Sequence, residues 1–138
     1  MGSLNRRSFL KTAAVAGTGI ALAPNFLPAD SEIKFKRTKP DGKLNIAFIG
    51  VGGRGRGHLG SVCQYNDVEI PAICDIDPAA VSKAQEILKD NNRKEATVYT
   101  GDEYAFMKML ERDDIDGVII ATPWLWHTRM AVASMKAV

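Results

Sequence analysis

An α/β fold with a doubly wound parallel sheet is predicted by three observations. The apolar run Leu44–Ile49 closes directly into Gly50-Val51-Gly52-Gly53-Arg54-Gly55. Apolar runs then alternate with segments of helical period, the arrangement that lays parallel strands beneath crossover helices. A second apolar run, Val68–Cys74, ends in an acid, Asp75, 20 positions past Gly55. This is a Rossmann-type pattern. Four strands are expected in the order 3-2-1-4, within one unit spanning 44–138.

The chain opens on an address. Asn5-Arg6-Arg7-Ser8-Phe9-Leu10-Lys11 resembles the twin-arginine export motif, and Thr12 to Ala23 is modestly apolar and rich in Ala and Gly. That stretch is too short and too weakly hydrophobic to span a bilayer. Small residues offer cleavage after Ala23 or Ala29, with Pro24 arguing against the first, and no Cys lies near to carry a lipid. Residues 1–29 therefore read as a signal peptide, implying a periplasmic protein without a membrane anchor; a disordered basic tail is the alternative. Residues 30–43 read as a polar linker containing the turn Lys39-Pro40-Asp41-Gly42.

Strand one is Leu44–Ile49, and helix one runs from about Arg54 to about Tyr65. Asn66-Asp67 turns the chain into strand two, Val68–Cys74. Asp77 suits a helix N-cap and Pro78 the first helical position. Ala80, Ala84, Ile87 and Leu88 then recur at helical spacing until Asp90-Asn91-Asn92. Thr97-Val98-Tyr99 is a short third strand. A helix opening at Asp102 is expected to bury Tyr104 or Ala105, Met109 and Leu110. Gly117 to Ala121 is continuously apolar, as a parallel strand covered on both faces must be. A last helix, from about Thr128 to Val138, carries Met130, Ala131, Ala133 and Met135. An ending inside that helix reads as truncation, with further strands and a C-terminal domain expected beyond Val138.

The glycines carry the first chemical signal. Gly50 permits a sharp turn, Gly52 lets backbone approach a ligand without a Cβ, and Gly55 lets the helix pack against the sheet. The helix N-terminus, with Gly53 and Arg54 in it, then offers unpaired N–H groups to a diphosphate. Asp75 stands where a carboxylate accepts hydrogen bonds from a ribose. Together these predict a dinucleotide, NAD rather than NADP, because an ionised Asp75 repels a 2′-phosphate. Arg54 and Arg56 weaken that preference, and an ordinary strand-end or capping acid is the other reading of Asp75. A retained NAD also suits the address: as a family property, the twin-arginine pathway exports folded proteins, and NAD is scarce outside the cytoplasm.

A second cluster, Ala121-Thr122-Pro123-Trp124-Leu125-Trp126-His127, is expected in the loop after strand four, beside strand one. Ligands of open α/β sheets bind at that switch point. A tryptophan there could flank a nicotinamide or a sugar ring, and His127 could donate to a ribose or the cofactor amide. Interface packing for Trp124 and Trp126, with His127 as a helix cap, is the alternative.

The segment Ile46 to Gly55, the run Cys74-Asp75-Ile76-Asp77-Pro78 and the signature Thr122-Pro123-x-x-x-His127 resemble the Gfo/Idh/MocA oxidoreductase family over about 44–138. Val51 to Gly55, Ala84 to Leu88 and Pro123-Trp124-x-Trp126-His127 are most similar to glycoside hydrolase family 109, NAD-dependent glycosidases typified by α-N-acetylgalactosaminidases. The resemblance implies NAD contacts at Gly53, Arg54, Asp75 and Trp124 to His127, Leu125 among them. Leu125 departs from the Glu common between those tryptophans. The resemblance also implies a cycle on a carbohydrate substrate: hydride leaves C3, the acidified C2 proton is removed, the C1 group is eliminated, water adds and hydride returns. That cycle needs no flanking carboxylate pair. The family's base and acid lie beyond Val138, so no catalytic residue is assigned here, and a homo-oligomer is expected through the missing domain.

Composition narrows the classes. With 138 residues, 46% hydrophobic and 25% charged, the chain holds one domain with a core. The net charge of +2 loses three basic residues with the signal, leaving 15 basic against 16 acidic side chains, a net of −1. Nothing there calls for nucleic acid or an anionic membrane. Two cysteines, Cys63 and Cys74, read as buried small hydrophobes, and two histidines give no metal-ligand spacing. Three alternatives stay open: a net NAD-dependent sugar dehydrogenase, an inert nucleotide-binding fragment, and an S-adenosylmethionine methyltransferase, which the Thr122-to-His127 signature disfavours.

Overall fold

A computed structural model describes residues 42–138. The expected signal, and the linker up to residue 41, lie outside the described residues. Strand β1 (Leu44–Ile49) sits in the middle of a parallel sheet. On one side it pairs with β2 (Val68–Glu69) and β3 (Ala72–Cys74), and beyond them lies β4 (Thr97–Tyr99). On its other side it pairs with β5 (Gly117–Ile120) in the register Ile46↔Gly117 to Ile49↔Ile120. Counting β2 and β3 as one interrupted strand, this is the expected order 3-2-1-4.

Strand alternation sends successive side chains to opposite faces. Phe48 packs with Leu59 of α1 (Gly53–Val62) and with Ala80, Ala84 and Leu88 of α2 (Pro78–Asp90). Ala47 and Ile49 pack with Phe106 and Met109 of α3 (Ala105–Met109) and Met130 of α4 (Trp124–Ala137). Both faces are thus covered, which is why β1 reads as an unbroken apolar run. Each large side chain buried this way contributes about 1.5–3 kcal/mol. Asp77 caps α2 by accepting from the Ala79 N–H at 2.9 Å, with Pro78 following it as expected. Cys63 and Cys74 are both buried free thiols.

Several boundaries differ from the sequence expectation, each for a local reason. Strand two breaks at Ile70-Pro71, since Pro71 has no N–H to give a ladder; its carbonyl instead accepts from Thr97 at 2.9 Å. Helix α1 stops at Val62, short of Tyr65, where Arg93 takes the carbonyls of Cys63 and Tyr65. Asp102 does not open a helix: its carboxylate accepts from the Tyr104 N–H at 2.6 Å, and α3 begins at Ala105. Of the two expected alternatives Tyr104 is exposed and Ala105 is half-buried against the core, which Phe106 fills. In α4, Met130 is buried but Met135 is exposed. The largest difference concerns the tryptophans. Pro123, extended at φ −58° and ψ 147°, starts α4, so Trp124 to His127 form its first turn and not a loop.

Candidate functional site

The carboxyl ends of β1, β3 and β5 open a cavity of about 310 Å³. Its floor is the glycine turn. Gly50 has φ +87°, a left-handed conformation, and a Cβ there would lie 2.9 Å from the Ala121 carbonyl and 2.8 Å from Thr122 Cγ2. A Cβ on Gly55 would strike the Gly50 carbonyl, so this glycine holds the helix against the turn. Gly52 and Gly53 differ, because a Cβ on either would meet nothing within 4 Å. Their missing side chains serve no packing. They leave a bare backbone face at the start of α1, which has neither a side-chain cap nor an acid in its first turn. Such a helix end suits an anion.

Asp75 closes the other wall. Its Oδ2 accepts from the Val51 N–H at 2.7 Å and its Oδ1 from the Asp77 N–H at 3.0 Å. The carboxylate therefore stands directly at the glycine turn, across two strands, and each oxygen retains accepting capacity. Next to it, Cys74 lines the cavity; burial, with Asp75 and Asp102 nearby, pushes its thiol up to about 12. It stays a neutral thiol under ordinary conditions. Arg56 donates to the Val51 carbonyl at 3.3 Å, while Arg54 is exposed on the first turn of α1. A diphosphate and its neighbouring ribose fit this arrangement of bare amides beside a fixed carboxylate.

The helical phase of α4 divides the second cluster. Trp124 and Leu125 are 91% and 89% exposed and stand outside the cavity. Thr122, Pro123 and Trp126 line it, and Met130, one turn on from Trp126, completes that side. The His127 Nε2 donates to the Thr122 carbonyl at 2.7 Å, so that nitrogen braces the β5–α4 junction. The Thr122 hydroxyl lies 3.3 Å from the Met130 sulfur.

The sequence reading missed Asp102, Glu103 and Phe106 as members of this cavity. It also missed Tyr104 and Arg129, which bracket Trp126. One signal was available for the acids: they follow a short strand that ends at the same sheet edge as β1 and β3. No spacing rule points to Arg129.

The profile of the Gfo/Idh/MocA family, described as an oxidoreductase family with an NAD-binding Rossmann fold, matches residues 44–138. A twin-arginine translocation signal matches residues 3–23, so the chain carries that export address. A protein of Shewanella pealeana named glycosyl hydrolase family 109 protein is 38% identical, over 97% of this chain and 32% of its own length. The chain thus spans about a third of the length of the curated relatives it matches. Among solved structures, the WlbA dehydrogenase of Chromobacterium violaceum, in complex with NADH and UDP-GlcNAcA, superposes with a TM-score of 0.56 at 26% identity, covering 72% of this chain and 26% of that one. The scyllo-inositol dehydrogenase of Lactobacillus casei, with bound NAD(H) and scyllo-inositol, gives 0.56 at 23%, covering 69% and 26%, and shares the fold.

Proposed function

The chain belongs to the Gfo/Idh/MocA oxidoreductase family and carries its NAD-binding Rossmann domain, and from that premise we propose that it is the cofactor-holding part of an exported enzyme acting on sugars. One observation carries the reading. A carboxylate at the end of the second strand is fixed 2.7 Å from an amide of a glycine turn whose outer face is bare.

The backbone of Gly52, Gly53, Arg54 and Gly55 would hold the diphosphate, and Gly50 would shape the turn. Asp75 would accept from the adenosine ribose. Thr122 and Trp126 would wall the cavity. His127 would act by holding the junction in shape, while Trp124 and Leu125 would meet cofactor or substrate only from outside this cavity. With Asp75, Asp102 and Glu103 all lining it, the cavity disfavours a 2′-phosphate, hence NAD over NADP.

For the whole protein we favour a glycosidase. When bound, NAD supplies a hydride acceptor that returns what it takes, so no net oxidation remains. The glycosyl hydrolase family 109 relatives and the paired tryptophans support this reading. So does the address, since a cofactor that never leaves suits export. A net sugar dehydrogenase is the second reading, supported by the similarity to dehydrogenases of known structure. Full-length protein incubated with an aryl N-acetylgalactosaminide, without added NAD, separates them. Aryl release with no NADH supports the glycosidase; steady NADH formation from a sugar when NAD is added refutes it in favour of the dehydrogenase.

A further inference from the structure

Two exposed side chains from different elements converge on one residue of the cavity wall. The rings of Tyr104, just before α3, and Trp126, on α4, meet edge to face at 5.6 Å and 82°. The Arg129 guanidinium lies 5.1 Å from the Trp126 ring centroid and 5.6 Å from that of Tyr104. Its Nη1 also donates to the Tyr104 hydroxyl at 2.7 Å. Arg129 follows Trp126 by three residues, which places both on one helix face. Holding an exposed arginine against two rings and a hydroxyl costs side-chain freedom. The ring contacts and the hydrogen bond offset that cost, and their shared product is a fixed Trp126.

Trp126 lines the same cavity as Asp75, Cys74 and Ile76. In this fold the carboxylate after the second strand marks the adenosine ribose, with the diphosphate between it and the nicotinamide. A wall shared with Asp75 and Ile76 therefore faces the adenine end. About 310 Å³, with Ile49, Phe106 and Met130 also lining it, is room for a flat nucleoside. We propose that Tyr104 and Arg129 are positioning residues that hold Trp126 as a wall for the adenine of NAD. This places the indole at the opposite end of the cofactor from the nicotinamide. The proposal rests on the NAD reading above and goes beyond it.

Fluorine NMR of the full chain labelled with 5-fluorotryptophan tests it. The chain has two tryptophans, and the resonance absent from Trp126→Phe belongs to Trp126. AMP and NAD should move that resonance saturably, and nicotinamide mononucleotide should not. Arg129→Ala should raise the dissociation constants for AMP and NAD by about 3- to 30-fold. Arg129→Lys should recover part of the loss, because the cation is kept. Tyr104→Phe, which deletes one oxygen and keeps the ring, should fall between, and it carries the test if Arg129→Ala does not fold. A response to nicotinamide mononucleotide but not AMP overturns the proposal. So does Arg129→Ala or Tyr104→Phe binding AMP as tightly as the parent. If calorimetry shows NAD binding while the Trp126 resonance stays still, the adenine wall fails and the cofactor reading survives. If calorimetry shows no NAD binding, both fail.

Discussion

Alanine at Gly50 and at Gly52 should separate two roles that the glycine turn combines. At Gly50 the backbone has φ +87°, which costs an L-residue roughly 1–2 kcal/mol. The new Cβ would also sit 2.9 Å from the Ala121 carbonyl carbon and oxygen. That backbone closes β5 and cannot swing aside like a long side chain, so crowding adds about 1–3 kcal/mol. The combined loss, about 2–5 kcal/mol, is large against a typical stability of roughly 5–15 kcal/mol. Gly52 has φ −64° and open space where its Cβ would go. Gly52→Ala should leave stability unchanged or raise it by up to about 1 kcal/mol, through a less flexible unfolded chain. Its methyl would, however, occupy the face offered to the diphosphate, weakening NAD by at least about tenfold. Urea denaturation gives the first quantity and calorimetric titration with NAD the second. An unmoved urea midpoint in Gly50→Ala would refute the turn argument, and undiminished NAD binding by Gly52→Ala would refute the placement of the diphosphate.

Asp75→Asn should weaken NAD by roughly 10- to 100-fold, the worth of a hydrogen bond to a charged group, and narrow the preference over NADP; parallel titrations with both nucleotides check it. Arg93, whose guanidinium serves the carbonyls of Cys63, Tyr65 and Val68, is a structural brace away from the cavity. Arg93→Ala should cost about 1.5–3 kcal/mol in urea denaturation while leaving NAD affinity within about twofold. Cys74 gives a pH dependence. Its thiol is pushed from 9.0 to about 12, so the folded state keeps a proton that the unfolded chain releases. Its contribution is fully present below pH 9 and is lost as pH rises through about 12. Cys74→Ala should flatten the decline of the urea midpoint across that window, and a variant that follows the parent's curve would refute the assignment.

The order of strands and helices was legible because each signal is local. Glycines close β1, Asp77-Pro78 opens α2, and unbroken apolar runs mark strands covered on both faces. Counting from Gly55 to Asp75 located the carboxylate because strand, turn and crossover lengths are tightly constrained in this fold. Export was legible for a different reason: the twin-arginine address is read as linear sequence. Where a backbone partner came from a distant residue, the reading drifted. Arg93 ends α1 early from 30 positions away, and nothing near Tyr65 announces it.

Side-chain direction belongs to the tertiary structure. The run Trp124-Leu125-Trp126-His127 looks uniform along the chain, yet the phase of α4, begun by Pro123 and anchored by Met130 in the core, turns two members outward and two inward. Asp102, Glu103, Tyr104 and Arg129 join the site only because β4 and β5 end at the same sheet edge as β1. The sequence by itself determined the glycine turn and the carboxylate beside it, since both depend on spacing along the chain. The cavity wall around Trp126 was decided by packing, because it gathers residues that no local periodicity connects.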